Sequence, residues 1–241
     1  MLRALKNYHL TFLGPHNPDV FKAIAAKWQK KSVEEVTQTD RQQVKQIIYG
    51  ILYGMGVKKL SDELGVTIED AGVFISTFMD TYPGVKKLIE ATIENCKKNG
   101  HITTLKGRRR YLPHIVNSNQ RAMAEAERQA VNSTIQGSAS DIIKKAMIDI
   151  DRELCKRYPS CRYPIRRGSK EIKNMTKIRE GAHFILQLHD ELYYEVSQKD
   201  LVSCASLIKN AMEKAVELDV AFPVKVKIGQ TWGELAEMHV E

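Results

Sequence analysis

A chain of 241 residues has room for one large domain or two modest ones, and a hydrophobic content of 43% argues against disorder. No run approaches the roughly 18 apolar residues of a membrane-spanning helix, so no membrane partner is expected. The net charge of +8 favours a polyanionic partner, although a merely solvated basic surface produces the same count. The four cysteines, Cys96, Cys155, Cys161 and Cys204, include no CxxC pair and face no histidine pair at finger spacing, which argues against zinc and for a reducing compartment. The opening MLRALKNYHLTFLG is too broken for a signal peptide, so an intracellular setting is expected.

Residues 1–17 show no clear period. Val20, Ile24, Ala25 and Trp28 recur at helical spacing and predict a helix over 19–29. Asp40 is placed to cap the next helix, expected over 41–53 and stopped by Gly54 and Gly56. A further helix opens at 66–70, carries Ala71, Val73, Phe74, Phe78 and Met79, and breaks at Pro83–Gly84. Residues 85–98 are amphipathic and end at Gly100. Residues 101–105 alternate as a short strand and lead into an arginine-rich loop, Gly107–Arg108–Arg109–Arg110–Tyr111–Leu112–Pro113.

A long helix is expected over 120–154, interrupted near Gln136–Gly137. Residues 155–181 read as an insertion, with nine Lys/Arg against two acids. Residues 184–196 read as a β-hairpin in which FILQL and LYYEV flank a polar corner, His189–Asp190–Glu191. A helix over 201–218 and a strand over 224–228 follow, and no internal repeat is found.

Four positions in the second helix form one stripe. Arg41, Lys45, Tyr49 and Tyr53 are each four residues apart, so they share a face. Forked and point cations suit a triphosphate, and flat rings suit a base and sugar. A solvated basic edge with half-buried aromatics is the alternative, but Val44, Ile47, Ile48, Ile51 and Leu52 already supply a core face. At the hairpin corner, Asp190 and Glu191 repel each other, and a hard divalent cation would relieve that repulsion; an ordinary polar turn is the alternative. Arg128, Asn132 and Gln136 form a stripe of long donors fit to reach a minor groove, or simply an exposed polar face. Arg108, Arg109 and Arg110 resemble a phosphate clamp, or a solvated charge run.

Taken in order, these segments resemble those of family A DNA polymerases. RQQVKQIIYGILYGMG (41–56) resembles motif B, LHDEL (188–192) resembles motif C, and GRRRYLP (107–113), AERQAVNSTIQGSASD (126–141) and IGQTWGEL (228–235) resemble further family segments. The likeness covers about 18–241. Within the family, 41–56, 184–196 and the basic insertion are most like the theta branch, with the nu branch next. The resemblance implies an α+β right-hand fold, with helical fingers and a palm built on a small antiparallel sheet. It divides the chain into an N-terminal remnant (1–40), fingers (41–113) and palm (114–241). It implies a nuclear enzyme of DNA repair and replication that performs template-directed nucleotidyl transfer with two Mg²⁺ ions on primer–template DNA and dNTP. No oligomer is implied.

By the same resemblance, Arg41 and Lys45 hold the triphosphate, Lys45 taking part in catalysis with Asp190 and Glu191. Tyr49 stacks on the nucleotide, its hydroxyl hinting at relaxed discrimination against dideoxynucleotides, and Tyr53 lies at the templating position. Asp190 and Glu191 bind metal. Arg128, Asn132, Gln136, His189 and the three arginines 108–110 touch DNA. The family's motif A, which carries the other metal-binding aspartate, is expected upstream of Asp19, and residues 1–18 hold nothing like it. The expectation is therefore a chain inactive alone. The alternative function is a non-catalytic, DNA-binding remnant of a polymerase; a basic RNA-binding or structural protein related only by descent is a third. For the insertion, holding a single-stranded end through phosphate contacts competes with a merely solvated loop.

Overall fold

The computed structural model describes residues 19–159, 180–218 and 221–240. It divides into two compact units, the boundary falling between Ser138 and Ala139. Helices dominate, and three two-stranded antiparallel sheets occur among the described residues, as an α+β chain requires. No helix among the described residues is long and apolar enough to cross a membrane.

The first unit opens with α1 (Val20–Gln29). Asp19 caps it, its Oδ1 accepting from the backbone N–H groups of Phe21 at 3.0 Å and Lys22 at 3.3 Å. Helix α2 spans Gln38–Leu52. It starts before the expected Arg41, because the cap is Thr37 rather than Asp40. The Thr37 hydroxyl accepts from the Asp40 N–H at 3.1 Å, and the Asp40 carboxylate accepts from the Thr37 N–H at 3.0 Å. That reciprocal pair is a capping box, with Asp40 as the acidic member inside the first turn. Gly54, at φ +79°, stops the chain after α2. Helix α3 (Val57–Leu64) follows, unpredicted from sequence because it is short and bracketed by Gly56 and Gly65. Helices α4 (Ile68–Thr81) and α5 (Pro83–Asn99) come next. Pro83 takes the first position of α5, where its missing N–H costs nothing.

Val44, Ile47, Ile48 and Ile51 of α2 are buried with Ala25, Ala26, Leu60, Ala71, Phe78 and Val85. Truncating a fully enclosed member such as Ile47 to Ala costs about 2–5 kcal/mol. A second core of Cys96, Ile102, Leu112, Ile115, Ala126 and Ala130 lies under strands β1 (His101–Thr103) and β2 (Arg109–Tyr111). The arginine run, expected as a loop, is therefore half of a hairpin, with Ile102 opposite Arg110. Local composition hides this strand, since its pairing partner is the neighbouring segment. Helix α6 (Gln120–Arg157) runs without the expected interruption at Gln136–Gly137. Gly137 serves proximity instead: a Cβ there would lie 2.5 Å from Cγ2 of Thr104.

In the second unit, the end of α6 carries Ile150 and Leu154 into a core with Ala182 and Cys204. The helix continues to Arg157, so the first residues of the expected insertion are helical. The bulk of that insertion, 160–179, lies outside the described residues, as does the segment 1–18. Strands β3 (Ala182–Leu188) and β4 (Glu191–Val196) form the predicted hairpin. Its turn is two residues long, His189–Asp190, and Glu191 belongs to the strand, opposite Leu188. Helix α7 (Leu201–Glu213) is shorter than the 201–218 expected. There the Glu213 carboxylate accepts from the Val224 N–H at 2.9 Å, drawing the returning chain against the helix end. Strand β5 (Val226–Ile228) is shorter than the expected 224–228 and pairs with β6 (Ala236–Met238), which carries no sequence signal of its own.

Candidate nucleic-acid interface

The α2 stripe rests on α1. Arg41 donates from Nε to Oδ2 of Asp19, and its guanidinium carbon lies 5.6 Å from the Phe21 ring centroid. Partial burial pushes the Asp19 carboxyl up, but the Arg41 hydrogen bond and charge and two backbone donors outweigh it and hold the carboxyl below its ordinary range. Lys45 Nζ lies 5.8 Å from the Tyr49 ring. Tyr49 meets Phe21 edge-on at 5.9 Å and stacks with Tyr53 at 6.3 Å, their planes 15° apart. With 42% of its surface exposed, Tyr49 has a face open to a partner.

The α6 stripe begins where the α2 stripe ends. Arg128, Asn132 and Gln136 are all exposed, while Ala126, Ala130 and Val131 turn inward. Gln136 donates from Nε2 to the Tyr53 hydroxyl at 2.6 Å. The stem of Arg128 crosses Gly54 so closely that a Cβ there would lie 2.6 Å from its Cγ. The arginine strand is strapped to the same helix. Arg108 donates to the Gly137 carbonyl at 2.9 Å, and Arg110 donates to the Ser133 hydroxyl at 2.6 Å. Alternation along the strand turns Arg109 the other way, exposed and without a hydrogen bond or ion pair to any described residue.

In the second unit, His189 takes a positive φ of 54° at the hairpin corner, a conformation sparsely used by residues other than glycine. Gln187 donates to the His189 carbonyl at 2.9 Å and tightens the turn. Asp190 is exposed and forms no hydrogen bond or ion pair with the described residues. Glu191 accepts from the Tyr193 hydroxyl, which pushes the Tyr193 phenol up. The Tyr193 ring stacks on Trp232 at 4.6 Å. The corner thus presents one unengaged carboxylate and one already bonded. Carboxylate oxygens suit a hard divalent cation, so the donor type at Asp190 fits such an ion. No group of three or more His, Cys, Asp or Glu converges among the described residues. Sequence reasoning gave no part to Asp19, Phe21 or Tyr193, which support the expected residues. Only tertiary proximity marks Asp19 and Phe21, whereas Tyr193 stands two residues from Glu191.

The family model for DNA polymerase family A matches residues 5–234. The chain is a family A DNA polymerase sequence. It is 43% identical to DNA polymerase theta of Mus musculus over 234 residues, an alignment covering 92% of this chain and 9% of that protein. It is 36% identical to DNA polymerase theta of Drosophila melanogaster, covering 92% of the chain and 10% of the relative. DNA polymerase I of Bacillus subtilis is 37% identical, covering 83% and 20% respectively. This family A chain thus spans about a tenth of the theta relatives and a fifth of that bacterial one. Among solved structures, the POL domain of Pol1 from M. smegmatis, in complex with DNA primer-template and dNTP, matches with a TM-score of 0.71 at 32% identity. That match covers 84% of this chain and 32% of the other.

Proposed function

We propose that this family A chain serves template-directed DNA synthesis, as a theta-like nuclear polymerase of DNA repair and replication. The observation that carries the proposal is the join between two stripes: Gln136 of α6 bonds Tyr53 of α2. Cations and rings suited to a nucleotide therefore run directly into donors suited to a minor groove. In this reading Arg41 and Lys45 take the triphosphate, Tyr49 stacks on the sugar and base, and Tyr53 stands at the templating base. Arg128, Asn132, Gln136 and His189 hold the primer–template near its end, and Arg108, Arg109 and Arg110 take its backbone. Residues 41–113 act as fingers and 114–241 as palm. Asp190 and Glu191 are the residues here that would hold Mg²⁺, which when bound stabilises charge on the attacking and leaving oxygens.

The test is fluorescence anisotropy of a labelled primer–template titrated with the 241-residue chain. Addition of Mg²⁺ and the next complementary dNTP should tighten binding about tenfold, and Arg41→Ala should erase the gain. DNA binding indifferent to dNTP would sink this proposal and leave a non-catalytic DNA-binding remnant in its place.

A further inference from the structure

Asp19 uses its two oxygens for different tasks. Oδ1 caps α1 through the N–H groups of Phe21 and Lys22, and Oδ2 accepts from Arg41 Nε. The terminal nitrogens of Arg41 donate to no acceptor among the described residues, and 23% of its side chain remains exposed. A carboxylate that shielded the arginine from anions would take the two-pronged fork, which is the geometry carboxylates and phosphates share. This one takes the single inner donor and leaves the fork to groups other than the described acceptors. Phe21 completes the seat, lying 5.6 Å from the Arg41 guanidinium carbon and 5.9 Å from the Tyr49 ring. The start of α1 thus touches both a cation and a ring of the face that a nucleotide would meet.

We infer that Asp19 and Phe21 are positioning residues that hold the Arg41 fork and the Tyr49 ring ready for the triphosphate and sugar of a dNTP. The inference rests on the nucleotide reading above. Its physical basis is preorganisation: a long side chain already immobilised loses less freedom when the ligand arrives.

Asparagine caps a helix about as well as aspartate, so Asp19→Asn removes the ion pair and leaves α1 intact. Binding of a complementary dNTP with Mg²⁺ is measured on the full chain carrying primer–template, for wild type, Arg41→Ala, Asp19→Asn and Phe21→Leu. Arg41→Ala should weaken dNTP binding at least about tenfold, and Asp19→Asn and Phe21→Leu about three- to fivefold. The Nε–H resonance of Arg41 supplies a readout that a purely structural role would not move. In wild type it should stay bonded to Asp19 when dNTP is added, while the terminal nitrogens shift. In Asp19→Asn it should exchange freely with water. A wild type that binds no dNTP, or an Arg41→Ala chain that binds it equally, overturns the nucleotide reading and this inference with it. Loss in Arg41→Ala combined with unchanged or tighter binding in Asp19→Asn overturns the positioning role alone. So does a wild-type Nε–H that leaves Asp19 when dNTP binds, which would make the carboxylate a competitor and needs no variant to detect.

Discussion

Asp40 lies outside the stripe, yet it governs where the stripe begins. Its carboxylate accepts from the Gln29 amide at 2.9 Å and from the Thr37 hydroxyl at 2.7 Å and backbone N–H at 3.0 Å. The Gln29 and Thr37 donors lower its pKa from 3.8 to about 2. A carboxyl depressed on folding contributes stability above its unfolded value and loses it as pH falls through the folded value. The contribution of Asp40 should therefore fade between about 3.8 and about 2. Urea unfolding followed across that window should show a steeper loss of midpoint in wild type than in Asp40→Asn. Parallel slopes would show that Asp40 adds nothing to the acid sensitivity. Tyr53 and Gln136 form a different kind of pair. Both are partly solvent-facing, so their bond at 2.6 Å serves alignment of two surfaces more than stability.

Helix α6 depends on a glycine that looks like a defect. In a helix interior, replacing glycine by alanine ordinarily stabilises by about 1 kcal/mol. At Gly137 the added methyl would meet Thr104 Cγ2 at 2.5 Å and displace the hairpin that carries the arginines. Gly137→Ala should therefore destabilise, by about 1–2 kcal/mol. Thr104→Ser removes the offending methyl and keeps the hydroxyl that accepts from the Arg108 N–H at 3.1 Å. In that background Gly137→Ala should become stabilising. Thermal unfolding of the four chains closes the cycle, and a stabilising Gly137→Ala in wild type would refute the steric account.

For the whole molecule the +8 charge becomes informative once its distribution is known. Each phosphate neutralised releases condensed counterions, so DNA affinity falls linearly with salt on logarithmic axes. Arg108 and Arg110 already donate to α6, whereas Arg109 is exposed without a described partner. Arg109→Ala should lower the salt slope of primer–template binding by about one unit. An unchanged slope would place DNA elsewhere. The hairpin corner makes a separate prediction. In a polymerase containing this chain, Asp190→Asn should cut metal-dependent incorporation at least about a hundredfold while leaving primer–template binding intact. Among the described residues no group of three or more metal-binding side chains converges at the hairpin that carries Asp190 and Glu191, and a two-ion site needs several such ligands, so the 241-residue chain by itself is expected not to extend a primer. Incorporation by the isolated chain would disprove that.

The stripe Arg41–Lys45–Tyr49–Tyr53 and the hairpin around Asp190 were legible because each is a local pattern. A period of four puts residues on one helix face, and alternation flanking a polar corner makes a turn. The cap of α2 lies three positions before the expected Asp40 because Thr37 and Asp40 share one motif, and propensity alone does not say which residue stands outside the helix. The strand at Arg109–Tyr111, the uninterrupted course of α6 and the strand Ala236–Met238 were not legible. Each depends on a partner segment that supplies hydrogen bonds or withholds space. By itself the sequence determined the helix faces and the chemistry of the exposed side chains, since those follow from residue type and spacing, and it carried the family through the resemblance of its motifs. Only the tertiary structure decided that Asp19 and Phe21 seat Arg41, that Gln136 bonds Tyr53, and that Arg109 alone of its three arginines has no described partner. Those facts are distances between residues far apart in the chain, and such distances exist only after packing has chosen them.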